Sequence, residues 1–144
     1  MVMQSLLDEA YMGTAILHSK LSRAVRKKVG ACCVTPHGVC LTGFNGTPVG
    51  TDNCCEYTDT SGDLVSKSSV IHAELQTILK AAKEGVSIIG SKMYVTLSPC
   101  LACSAMMIQA GIREVLYLEP YRDLSGVQYL QESGVLVHQL KVKE

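Results

Sequence analysis

Four residues in two short stretches have the types and spacing to do chemistry. His72-Ala73-Glu74 forms the first stretch, and Pro99-Cys100-Leu101-Ala102-Cys103 follows after 24 intervening residues. Cys100 and Cys103 are i, i+3, which puts both thiols on one face of a helical turn. A helix N-terminus favours thiolate over thiol through its unpaired N–H groups. Two thiolates and one imidazole suit Zn²⁺, a borderline-soft ion that takes tetrahedral N and S ligands. Three protein ligands leave a fourth position for water, the mark of a catalytic rather than a structural site. Glu74 is placed to reach that water without ligating the metal, where a proton shuttle must sit. Two rivals stand beside this reading. A structural zinc site would recruit Cys54 or Cys55 as fourth ligand, and a redox Cys-x-x-Cys pair would leave His72 and Glu74 unexplained. His18, His37 and His138 are read as surface or core residues.

Both stretches have to open helices. Residues 72–84 read as a helix stopped by Gly85, and 100–110 as one introduced by Ser98-Pro99 and stopped by Gly111. Ahead of them, 3–19 has apolar residues near helical spacing, and 29–35 and 39–44 read as a hairpin across Pro36-His37-Gly38. Residues 45–70, rich in Asn, Gly, Asp, Ser and Thr, read as a long loop of functional type. Strands are expected at 92–97, 114–118 and 135–139, with a helix near 123–132. This order predicts an α/β fold: a three-layer α/β/α sandwich around a five-stranded mixed sheet, mostly parallel, in a single domain spanning 1–144.

Composition narrows the class. At 144 residues the chain is about one domain long. Thirteen Lys+Arg offset thirteen Asp+Glu, so no global basic field is available for a nucleic acid polymer. The charged fraction of 18% is below the usual ~25%, which fits a surface partly covered by partners and so a homo-oligomer. No run approaches the ~18 apolar residues of a membrane span. Asp8 and Glu9 interrupt the first apolar stretch, so no signal peptide is expected. Seven cysteines cannot pair completely within the chain, which points to a reducing compartment: the cytoplasm, or the host cytoplasm for a viral or phage source. Cys32, Cys33 and Cys40 are expected to be core thiols.

The pattern H-x-E…P-C-x-x-C is that of zinc deaminases. Together with KVGACCV, TGFNGTPVG, NCCE, IHAELQTIL, MYVTLSPCLACSAMMIQAGI and YLEPYRD, it makes the chain resemble the cytidine deaminase superfamily over nearly its whole length. The GFNGTP segment and the long TLSPCLAC–QAGI stretch favour the deoxycytidylate (dCMP) branch, compact phage, viral and bacterial members in particular. The resemblance implies a cytidine deaminase-like fold and hydrolysis of dCMP to dUMP and ammonia, supplying the precursor of dTMP. It implies one catalytic Zn²⁺ held by His72, Cys100 and Cys103, with Glu74 as the proton shuttle. The Ala73 N–H would bind the cytosine O2, the Ser98 carbonyl the amino group and Asn45 the sugar hydroxyl, with Tyr121 over the base. It also implies a hexamer activated by dCTP and inhibited by dTTP, each with Mg²⁺. Gly43, Asn45, Gly46, Gly50, Asn53 and Lys27 are the candidate residues for that triphosphate site. Some phage members hold a second, structural zinc; here Ala24 and Val70 stand at two of its ligand positions, so one zinc per chain is expected.

For the phosphate, Arg23, Arg26, Lys27 and Lys28 form a basic cluster. Arg26 and Lys28 lead as alternate residues entering a strand, with Arg122 as a further candidate. A deaminase of dCTP, or of dCMP and dCTP together, is the near alternative. Free cytidine and tRNA adenosine are more distant substrates, the latter disfavoured by neutral charge. A zinc-stabilised binding module is the non-enzymatic alternative.

Overall fold

The computed structural model describes residues 5–141. Helix α1 (Leu6–Ser19) starts at Ser5, whose hydroxyl accepts from the Asp8 N–H at 3.1 Å. Residues 3 and 4, expected to begin this helix, lie outside the described residues. Strands β1 (Gly30–Val34) and β2 (Cys40–Phe44) form the expected hairpin. Next come β3 (Glu56–Thr58), β4 (Leu64–Ser66), α2 (Ala73–Glu84), β5 (Lys92–Leu97), α3 (Leu101–Ala110), β6 (Glu114–Glu119), α4 (Ser125–Glu132) and β7 (Leu136–Gln139). Helices α2 and α3 both stop at left-handed glycines, Gly85 at φ 67° and Gly111 at φ 88°.

The main sheet runs β2-β1-β5-β6-β7. Period-2 alternation divides its central strands between two cores. Ala31, Cys33, Met93, Val95, Val115 and Tyr117 face one core, shared with Met107 of α3 and Val127 and Leu130 of α4. Cys32, Val34, Tyr94 and Leu116 face the other, closed by Met12 and Ala15 of α1. The architecture is thus three layers: one helix, a five-stranded mixed sheet, and α2, α3 and α4 opposite.

The sheet bears out a mixed arrangement, and two other expectations, for the long loop and for Cys40, are corrected here. The sheet is mostly parallel in strand direction: β2, β5, β6 and β7 all run the same way, and β1 alone is antiparallel to its neighbours β2 and β5. Helices α3 and α4 join the three adjacent parallel strands, α2 lies in the connection that crosses from β2 past β1 to β5, and β1–β2 is a hairpin. The long loop, in turn, contains a second small sheet, β3–β4. Its turn is held by Asp59 Oδ1, which accepts from the Ser61 and Asp63 N–H groups at 2.9 Å each. Cys40 is also corrected: it is exposed at the start of the edge strand β2, whereas Cys32 and Cys33 are buried.

Candidate active site

His72 and Cys100 are the N-cap residues of α2 and α3, both in extended backbone, and neither side chain makes a capping hydrogen bond. Their ring and thiol therefore leave the helix ends and meet. His72 Nδ1 lies 3.6 Å from Cys100 Sγ and 3.4 Å from Cys103 Sγ. A tetrahedral zinc with Zn–S of about 2.3 Å and Zn–N of about 2.0–2.1 Å has an N···S edge of about 3.6 Å. The residues present therefore fit the ion in both chemistry and spacing. Among the described residues, no other group of three or more His, Cys, Asp or Glu side chains converges in this way. Cys54 Sγ instead donates to the Glu56 carbonyl at 3.2 Å and Cys55 Sγ to the Asn53 carbonyl at 3.7 Å, so neither supplies a fourth ligand.

The electrostatics agree. Hydrogen bonds from Cys103 and His72 hold the Cys100 thiol down at about 4, while Cys100 and burial push the Cys103 thiol up. Two thiolates this close cannot both ionise without a cation between them. The hydrogen bond to Cys100 raises His72. Glu74, in the first turn of α2 and 4% exposed, has its carboxyl pushed up to about 7 by burial.

Two glycines let backbone approach this site. A Cβ on Gly43 of β2 would sit 2.5 Å from Thr77 Oγ1 and 2.7 Å from the Ala73 carbonyl oxygen. A Cβ on Gly126 of α4 would sit 2.3 Å from the Pro99 oxygen and 2.7 Å from the Cys100 carbonyl carbon. Strand β2 thus seats the start of α2, and α4 seats the start of α3.

His72, Ala73, Glu74 and Cys100 open onto a cavity of about 490 Å³, within the range of small-molecule sites. The structure brings Asn45, Ser98, Tyr121 and Arg26 to the same cavity. Asn45 already uses both ends of its amide: Oδ1 accepts from the Val29 N–H and Nδ2 donates to the Lys27 carbonyl, each at 2.9 Å. Ser98 Oγ accepts from the Tyr121 N–H at 2.7 Å, so one expected residue positions another.

The basic residues sort differently from the sequence expectation. Lys27, not Lys28, lines the cavity beside Arg26, and it pairs with Glu119 at 2.5 Å. The alternation rule fails here because β1 begins only at Gly30, leaving 26–28 without strand geometry. Arg122 is a lining residue too, with its guanidinium carbon 5.7 Å from the Tyr121 ring centre. Ser66, Lys67 and Ser68 were not foreseen. They lie on and just after β4, which pairs with β3 over runs of only three residues, too short to show a strand period in the sequence. The residues expected to hold a triphosphate do not converge. Asn45 and Lys27 belong to this cavity, Gly43 is used in packing, and Gly46 pairs with Ile71. Gly50 and Asn53 do not line it, and a second cavity, bordered by Val34, Lys92 and Arg113, contains none of the six.

The family model described as the cytidine and deoxycytidylate deaminase zinc-binding region matches residues 6–119. A deoxycytidylate deaminase of Schizosaccharomyces pombe is 34% identical over 140 residues, covering 92% of this chain and 43% of that protein. The chain therefore spans less than half the length of that relative. A deoxycytidylate deaminase of Enterobacteria phage T4 is 34% identical over 144 residues, covering 74% of this chain and 75% of its own length. Among solved structures, the dCMP deaminase of cyanophage S-TIM5 in complex with dCMP and dUMP is 42% identical with a TM-score of 0.87. That match covers 96% of this chain and 100% of the other.

Proposed function

The chain belongs to the cytidine and deoxycytidylate deaminase family, and we propose that it hydrolyses dCMP to dUMP and ammonia in the cavity just described. The observation that carries this reading is the convergence of His72, Cys100 and Cys103 beside a buried Glu74, in a cavity that also holds Arg26 and Arg122. Zinc, when bound by these three ligands, supplies a water acidic enough to serve as nucleophile near neutral pH. The remaining work falls to the chain's own residues. Glu74 takes the water's proton, delivers it to N3 of the cytosine, and moves a proton to the departing amine. Burial pushes its carboxyl up from the ordinary carboxylate range, which suits a group that must both accept and give a proton. The Ala73 N–H donates to the cytosine O2, the Ser98 carbonyl accepts from the 4-amino group, and Tyr121 covers the base. Asn45 faces the sugar. Arg26, with Lys27 and Arg122, supplies the cationic end that a phosphate monoester needs.

Ammonia release is the direct test, measured on zinc-loaded protein with dCMP, CMP, dCTP, deoxycytidine and cytidine side by side. Turnover is expected with dCMP. Preference for dCTP would move the substrate to the triphosphate, and no ammonia from any of them would overturn the enzyme. The finer parts of the reading rest on the family resemblance and, for the oligomer, on the low charge content as well. They are a homo-oligomer, a hexamer, and opposed regulation by dCTP and dTTP with Mg²⁺. Sedimentation as a monomer at micromolar concentration refutes the first. Superimposable dCMP saturation curves with and without each effector refute the regulation. No described helix is long and apolar enough to cross a membrane.

A further inference from the structure

Residues 25 and 26 lie in a segment with neither helix nor strand, so their N–H groups need acceptors from elsewhere. One side chain supplies both. Glu56 Oε2 accepts from the Val25 N–H at 2.8 Å and from the Arg26 N–H at 3.0 Å. Glu56 is only 7% exposed and enters none of the described ion pairs. Directly across the β3–β4 ladder from Glu56 stands Ser66. Its Oγ accepts from Arg26 Nη1 at 3.2 Å. The next rung is closed by the Lys67 N–H donating to the Cys55 carbonyl at 2.7 Å. One cross-strand pair therefore grips Arg26 at both its root and its head. Arg26 and Ser66 line the cavity, and Glu56 stands behind them.

We propose that the β3–β4 hairpin is a positioning arm for Arg26, and that Glu56 and Ser66 thereby set the preference for a phosphorylated over an unphosphorylated ligand. This rests on the reading that the cavity takes a cytosine nucleotide. A carboxylate is the right anchor: it accepts two amide protons at once, and charge-assisted bonds are about twice as strong as neutral ones. Glu56 touches no ligand, so it is a positioning residue, and its loss is felt through the aim of Arg26. A support for the fold in general would affect base and phosphate alike. An arm for Arg26 affects the phosphate alone.

The test uses zinc-loaded full-length Glu56→Ala, Glu56→Gln and Ser66→Ala, with dCMP and deoxycytidine as substrates. Glu56→Ala is expected to raise KM for dCMP about 10-fold or more, the scale of a lost bond to a charged group. The kcat for dCMP and kcat/KM for deoxycytidine should stay within about twofold. Glu56→Gln, which keeps an acceptor, should recover most of the loss, and Ser66→Ala should show a smaller loss of the same kind. In an Arg26→Ala background, Glu56→Ala should add nothing. Equal losses on dCMP and deoxycytidine, or full additivity with Arg26→Ala, would overturn the proposal. Calorimetric binding of inorganic phosphate separates this claim from the enzymatic one. Weaker binding by Glu56→Ala and Ser66→Ala supports the arm even if the wild-type protein released no ammonia from dCMP, and unchanged binding in both refutes it. Should Glu56→Ala not fold, Ser66→Ala decides by the same two readouts.

Discussion

Replacing Gly126 by alanine is expected to loosen the metal site from outside it. Gly126 is the second residue of α4, in helical backbone that alanine adopts freely, so the only cost is space. The added Cβ would lie 2.3 Å from the Pro99 oxygen, 2.7 Å from the Cys100 carbonyl carbon and 2.8 Å from its oxygen. Ordinary contact begins near 3.4 Å, so these atoms must separate by 3.4 − 2.3 = 1.1 Å at the worst point and 3.4 − 2.8 = 0.6 Å at the mildest. All three obstacles are backbone, so no side chain can swing aside. Cys100 is the N-cap of α3, and its thiol moves with that backbone. Metal–ligand distances tolerate only about ±0.2 Å. Overpacking of this kind costs about 1–3 kcal/mol. Expressed wholly at the site, that is a zinc affinity lower by about 5–150-fold. Chelator competition on Gly126→Ala, with thermal melting of the zinc-free protein alongside, measures it. Wild-type zinc retention would refute the reasoning, whether or not the melting temperature falls, because the strain would then reside in α4 rather than in Cys100.

Other substitutions probe the remaining parts. Glu74→Gln should retain zinc by metal analysis while losing about 10²–10⁴-fold in kcat, the usual worth of a general acid–base. Parallel loss of metal would count against its role as a shuttle. Alanine at His72, Cys100 or Cys103 should each reduce zinc content, and full occupancy under mild chelation would remove that residue from the ligand set. Gly43→Ala should cost about 1–3 kcal/mol in denaturant melts by forcing β2 away from Ala73 and Thr77, and unchanged stability would show that α2 slides freely. Burial pushes the Cys33 thiol up to about 11 from 9.0. A raised value means stability fully present below pH 9 and lost as pH rises through 11. Cys33→Ala should flatten that alkaline decline, and an identical pH profile would refute it.

The sequence was most legible where periodicity and chemistry coincided. Lys92–Leu97 was read to the residue because its apolar run is short, β-branched and aromatic, and bounded by Gly90 and Pro99. The His72, Cys100 and Cys103 cluster followed from spacing, since both stretches had to open helices that meet at one point. The β3–β4 hairpin was not legible. Its strands are three residues each, too short to establish a period, and their polar residues resemble loop composition. Missing it hid Ser66 and Lys67 from the cavity and Glu56 from Arg26. Alternation favours Lys28 over Lys27 beside Arg26 only where strand geometry holds, and β1 begins no earlier than Gly30. Asn45 lines the cavity, but that its amide bridges Lys27 and Val29 depends on contacts between distant segments, which no local pattern records.

That bridging has a thermodynamic reach beyond the geometry. The stretch from Ser22 to Val29 has almost no regular structure, yet it is stitched down throughout. The Ser22 hydroxyl, itself buried, donates to the Asn45 carbonyl at 2.8 Å, and Glu56 and the Asn45 amide hold the rest. Fixing a backbone residue costs roughly 1–2 kcal/mol in conformational entropy. For this segment that cost falls on folding and not on ligand capture. Pre-organisation of this kind spares the bound complex an ordering penalty. The cationic wall then meets an anion already in shape, and its contribution to affinity should come with little unfavourable entropy.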